Sequence, residues 1–155
     1  MYKIDQKELL KRRKTLMRMV SNDGAAIIPS ASATPRNRDV DFVFRQDSDF
    51  LYLTGFDEPN SLALMLPGNA KGQFIVFCRE RNSEQEIWDG RRAGLEGVKE
   101  HYGADLAYSI EELDEVMPKL LADRERFFYP MGRDTNFDRQ VINWVNQSRG
   151  SARTA

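Results

Sequence analysis

Three β-rich segments separated by short turn-forming connections constrain this fold more than any other feature of the sequence. Residues 51–54, 61–66 and 73–79 are divided by Gly55-Phe56-Asp57-Glu58-Pro59-Asn60 and by Pro67-Gly68-Asn69-Ala70-Lys71-Gly72. Links this short cannot house the crossover that a parallel pair requires, so consecutive strands are predicted to pair antiparallel. A further strand is expected at Ala25-Ala26-Ile27-Ile28-Pro29, an apolar run that follows the turn Ser21-Asn22-Asp23-Gly24 and suits burial.

Helical signals flank these strands. Asp5 and Glu8 form a capping box ahead of Leu9, Leu10, Leu16, Met17 and Val20, with Lys11, Arg12, Lys14 and Arg18 opposite, so residues 5–20 predict an amphipathic helix with a solvated basic face. Residues 94–102 predict a second helix, stopped by Gly103. Ser109 and Glu112 box a third, whose stripe is Ile110, Leu113, Val116, Met117, Leu120 and Leu121. After a β-rich run at 126–129, Thr135 and Asp138 open a last helix carrying Phe137, Val141, Ile142, Trp144 and Val145. Residues 30–41 and the polar stretch 84–90 around Ile87-Trp88 read as loops, and the tail after Gln147 reads as a linker. Hairpin-type connections followed by helical crossovers specify an α/β fold: a mixed sheet with flanking helices.

Composition narrows the function. With 155 residues, one core can bury roughly 68–70% of the unfolded surface without staples. Lys plus Arg number 23 against 24 Asp plus Glu, a net charge of -1 that offers no general attraction to nucleic acid or anionic lipid. No apolar run approaches the roughly 18 residues of a membrane span. The N-terminus lacks the apolar core of a secretory signal. One cysteine, Cys78, excludes an internal disulfide and favours a cytoplasmic setting, while one histidine, His101, excludes His-rich zinc motifs.

Catalytic templates find little purchase. The glycine cluster 90–97 has neither the spacing nor the Lys-Ser/Thr pair of a phosphate-binding loop, and no nucleophile elbow is present. Cys78 reads as a packed core thiol and His101 as a surface residue near a helix end. The carboxylate pairs Asp39/Asp41, Asp47/Asp49, Asp57/Glu58 and Glu84/Glu86 fit turn and helix caps, Asp47-Ser48-Asp49 above all, although such pairs also serve magnesium-dependent nucleases. Two stretches stand apart: residues 36–59, where aromatics interleave with ions, and residues 86–92, where an indole sits among charges. An aromatic beside arginines is a contact signature.

Those two stretches carry a resemblance. FRQDSDFLYLTGFDEP followed by EIWDGRRAG resembles the N-terminal domain of the Xaa-Pro aminopeptidases, in the creatinase and prolidase superfamily, from about Leu9 to the C-terminus. The resemblance implies a ribonuclease H-like mixed sheet over residues 1–147. It also implies that residues 148–155 begin a linker to a C-terminal metallopeptidase domain outside this chain. That domain would hold the family's two manganese ions through Asp, His and Glu ligands, so no cofactor is expected in this chain. The implied activity of the whole protein is removal of N-terminal residues preceding proline by a metal-bridging water. The implied role of this part is non-catalytic: supporting a homo-oligomer and shaping access for peptides with proline second. Trp88 would reach a neighbouring subunit's site, and Asp39 and Arg153 would line the substrate side. Two other readings stay open, a stand-alone binding or dimerisation module and a carboxylate-metal nuclease. The neutral charge balance counts against the nuclease.

Overall fold

The sheet is mixed because its centre is antiparallel and its two edges are parallel. The computed structural model describes residues 4–32 and 44–154, without the side chains of residue 89 and residues 151–154. Strand β1 (Gly24–Pro29) pairs antiparallel with β2 (Leu62–Met65), and β2 with β3 (Phe74–Cys78). Two short strands add in parallel, β4 (Leu106–Ser109) beside β3 and β5 (Arg126–Phe128) beside β1, giving the order β4-β3-β2-β1-β5. The expected α/β architecture is therefore observed.

Alternation along the central strands divides the core in two, because successive side chains point to opposite faces. Ala26, Ala63, Met65, Phe74, Val76 and Cys78 lie on one face. There they meet helices α1 (Gln6–Val20), α2 (Ser48–Thr54) and α4 (Gly94–Tyr102) through Val20, Phe50, Leu53 and Val98. Ala25, Ile27, Leu62, Leu64, Ile75 and Phe77 lie on the other. A 3-10 turn (Ile110–Glu112) leads into α5 (Leu113–Leu120), which covers that second face with α6 (Thr135–Thr154) through Leu113, Met117, Val141 and Trp144. The Ser109/Glu112 capping box forms as expected, and Asp5 caps α1 by accepting the Lys7 N–H. Cys78 is fully buried, and desolvation first, then the Glu58 charge, pushes its thiol up to about 12, so the thiolate nucleophile is not available near neutrality.

Three segments differ from the sequence reading. Residues 51–54, expected as a strand, are the second half of α2. Asp47 caps that helix by accepting the Phe50 N–H, and Gly55 ends it in the left-handed region. The second antiparallel partner of β2, beside β3, is thus β1. Residues 83–89, expected within a polar loop, form a short helix, α3 (Ser83–Asp89), capped by Asn82. Residues 148–154, expected as the irregular start of a linker, are helical as the last turns of α6, and Ser148 is buried there with its hydroxyl donating to the Val145 carbonyl.

Candidate contact surface around Trp88

Between β3 and α4 the chain makes an excursion that carries α3 away from the sheet. Polar residues dominate α3, so the helix has no stripe to bury, and its two apolar side chains face solvent. Ile87 is 79% exposed and Trp88 85% exposed, the latter far above the usual state of a tryptophan. What holds so exposed a helix is its cap and its base. The Asn82 side chain accepts the Glu84 and Gln85 N–H groups, and Gly90, at φ 94°, closes the other end.

The base brings together the two stretches that stood apart in the sequence. Glu86 accepts the Asn82 N–H at 3.0 Å and the Arg92 N–H at 2.8 Å, and its carboxylate meets Arg81 Nε at 2.9 Å. The Arg92 N–H, then Arg81 and the Asn82 N–H, hold this carboxyl below the usual range despite partial desolvation. One residue further on, the Ala93 N–H donates to Glu58 Oε2 at 2.8 Å, while Arg79 lies 3.3 Å from Glu58 Oε1. Glu58 is in turn tied to Gln46, whose side-chain amide donates to the carbonyls of Phe56 and Glu58 and whose Oε1 accepts from the N–H groups of Ala31 and Asp47. Gln46 escaped the sequence reading because nothing about an isolated glutamine marks it as a buried tie point.

The other candidates fall into place unevenly. Asp39 lies outside the described residues, and Arg153 is placed by its backbone in the last turns of α6 with its side chain outside the description. Asp47 and Asp49 bind Arg133, which joins the segment after β5 to the start of α2. That matches a cap and ion pair. His101 is at the surface, 3.8 Å from Glu100. Among the described residues, no three His, Cys, Asp or Glu side chains converge to hold a metal. A concavity of about 530 Å³ between α1, α2 and β5, lined by Leu16, Met19, Tyr52 and Phe128, went unnoticed because its walls are far apart in sequence.

The chain is thus a mixed α/β domain that projects an exposed indole from a carboxylate-braced base. A sequence profile described as "Aminopeptidase P, N-terminal domain" matches residues 9–129. The chain is 36% identical over 129 residues to the Xaa-Pro aminopeptidase of Haemophilus influenzae, a match covering 83% of this chain and 30% of that protein. It is 32% identical over 135 residues to the mitochondrial intermediate cleaving peptidase 55 of Arabidopsis thaliana, covering 84% of this chain and 27% of that one. Among solved structures, the aminopeptidase PepP of Pseudomonas aeruginosa superposes with a TM-score of 0.92 at 45% identity, over 100% of this chain and 35% of that chain. This chain belongs to the aminopeptidase P N-terminal domain family. It spans about a third of the length of the relatives it matches.

Proposed function

We propose that this chain serves a metal-dependent Xaa-Pro aminopeptidase as its non-catalytic N-terminal domain. Its partner in this reading is a C-terminal metallopeptidase domain, and its task is to support a homo-oligomer and narrow access for peptides with proline second. Trp88 carries the reading. An indole left 85% exposed on a capped, braced helix is arranged to meet something outside its own domain. In the assembled enzyme that something is a neighbouring subunit's substrate site, with Asp39 and Arg153 on the substrate side. The single buried cysteine supports a cytoplasmic setting, and no described helix is long and apolar enough to cross a membrane.

The manganese pair of such an enzyme does not fit the described residues. The sole histidine, His101, is exposed beside Glu100, and among the described residues no carboxylates converge with it, so this reading places the metal chemistry in the partner domain. Titration calorimetry of this chain with Mn²⁺ is accordingly expected to show no stoichiometric tight site, and a proline-peptide assay no turnover. Tight one- or two-site binding together with hydrolysis would overturn the assignment.

Trp88 provides the direct test. Trp88→Ala is expected to change the unfolding free energy of this chain by no more than about 0.5 kcal/mol, since the side chain touches little of its own domain. In the complete enzyme the same substitution is expected to lower kcat/KM for longer peptides about tenfold, the loss of one aromatic contact of about 1.4 kcal/mol, with metal content unchanged. Unaltered kcat/KM across peptide lengths would remove Trp88 from the substrate path.

A further inference from the structure

The return of the chain from α3 into α4 is held at two consecutive amides by two carboxylates from different places in the sequence. Glu86, on α3 itself, takes the Arg92 N–H, and Glu58, in the connection between α2 and β2, takes the Ala93 N–H, both at 2.8 Å. The outgoing side of the same excursion is held by the same groups. Glu86 also takes the Asn82 N–H, and Glu58 faces Arg79 at the end of β3. Each carboxylate therefore bridges the start and the end of the segment that carries Trp88.

Neither bridge is explained by packing. Arg81 is half-exposed and the whole of α3 lacks an apolar face, so hydrophobic burial cannot fix the helix against the domain. The Glu58 contact also does a job that α4 leaves undone. Residue Ala93 stands at its N-cap position, where no side chain of the helix's own accepts a free amide. Glu58 supplies that acceptor from 35 residues away in sequence, and its negative charge suits the positive end of the helix dipole. Its own main chain is pinned by Gln46, which is 7% exposed, so the acceptor is carried on a fixed frame.

We infer that Glu58 and Glu86 form a two-carboxylate clasp that fixes the base of α3, making them positioning residues for Trp88. The clasp sets the direction in which the indole leaves the domain, adding to the tie by which the Arg92 guanidinium donates to the Glu80 carbonyl at 3.1 Å. Its meaning for catalysis rests on the access role proposed above. Its existence does not, and the two are tested separately.

Amide hydrogen exchange on this chain reads the clasp. A hydrogen bond to a charged acceptor is worth enough that its loss speeds local opening on the order of tenfold. Glu86→Ala is expected to speed exchange about tenfold at Asn82 and Arg92, and Glu58→Ala to do so at Ala93, while strand amides of β2 and β3 keep their protection. Glu86 uses both oxygens, Oε2 for the Asn82 N–H and Oε1 for the Arg92 N–H, so Glu86→Gln is expected to keep protection at one of these amides and lose it at the other, while Glu58→Gln is expected to keep part of the protection at Ala93. Incorporated 5-fluorotryptophan adds a spectroscopic readout, with Trp88 assigned through Trp88→Phe. In Glu86→Ala the Trp88 resonance is expected to narrow and move while that of buried Trp144 stays, which shows an intact core. Unchanged exchange at Arg92 and Ala93 in the double alanine variant would overturn the clasp. So would glutamine variants as impaired as alanine ones, or a Trp144 resonance that moves together with that of Trp88. In the complete enzyme, Glu86→Ala is expected to raise KM as Trp88→Ala does with kcat kept, and the double variant to be no worse than Trp88→Ala alone. If Trp88→Ala has no effect there, the access role fails and the clasp is still judged by exchange.

Discussion

Trp144→Ala is expected to cost this domain about 3–5 kcal/mol of unfolding free energy, as deletions of buried aromatics do. Domains of this size have only about 5–15 kcal/mol in total. Trp144 is 1% exposed on α6, wedged against the second face of the sheet, with its ring edge-on to Phe137 at 5.7 Å between centroids. Its indole N–H is also satisfied, donating to Asp114 Oδ1 at 2.8 Å, so the side chain ties α6 to α5 through both packing and a charged acceptor. Trp144→Phe separates the two contributions. It keeps most of the volume, loses the hydrogen bond, and is expected to cost about 1–2 kcal/mol. Urea unfolding of both variants beside Trp88→Ala measures the contrast between a core indole and a projected one. A Trp144→Ala loss below about 1 kcal/mol would mean that α6 lies outside the cooperative core.

The contrast between the two tryptophans was legible in the sequence because each indole's neighbours announce its surroundings. Trp144 recurs with Phe137 and Val141 at helical spacing, whereas Trp88 has only Ile87 among charges. Where one period dominates a long window the element is read correctly, as in α1 and α5, and in α5 so is the buried face, whereas in α1 Leu10, placed on the apolar stripe, is 44% exposed. Residues 51–54 fail that condition. Leu-Tyr-Leu-Thr satisfies a two-residue alternation, while Phe50, Leu53 and Thr54 satisfy a helical face, and four residues cannot separate the two. The deciding signals were local and present, Asp47 as cap and Gly55 as the left-handed stop. The α3 helix fails differently, since a helix with no apolar side leaves no periodicity to detect and only Asn82 marks its start.

The base of α3 was out of reach for a further reason. That the stretches ending at Glu58 and beginning at Glu86 meet is a fact of the sheet order: β2 and β3 lie side by side, so the segment entering one and the segment leaving the other share an edge. Sequence spacing carries no trace of the Glu58 to Ala93 bond, whose partners are separated by 35 residues. Unusual composition flagged both stretches without revealing that they meet.

Arg13 shows a signal that was present and overlooked, and it leads to the second large effect. Among the basic residues of α1, Lys11, Arg12, Lys14 and Arg18 belong to the solvent side, but Arg13 falls four residues after Leu9 and three before Leu16, on the apolar stripe. The structure buries it to 2% exposure, with its guanidinium 4.1 Å from the Phe74 ring centroid and Nη1 donating to the Leu53 carbonyl at 3.0 Å. Desolvation lowers its pKa to about 10 against the pull of Asp105, so it stays charged at neutrality. Its neighbour Arg12 donates to the preceding carbonyl, Tyr52, also at 3.0 Å, so the C-terminal turn of α2, which has no basic residue of its own, is held by consecutive arginines from α1. Burial makes the two unequal. Arg12→Ala leaves a carbonyl that water can reach, and is expected to cost under about 1 kcal/mol. Arg13→Ala strands the Leu53 carbonyl and opens a cavity over Phe74, and is expected to cost about 2–4 kcal/mol. Arg13→Met refills that space without a donor and removes a guanidinium whose Nε has no partner. It is expected to recover half or more of the loss, as apolar replacements of buried charges do. Chemical denaturation of the three variants decides between causes: equal losses for Arg12→Ala and Arg13→Ala would show that charge at the end of α2, and not burial, sets the cost.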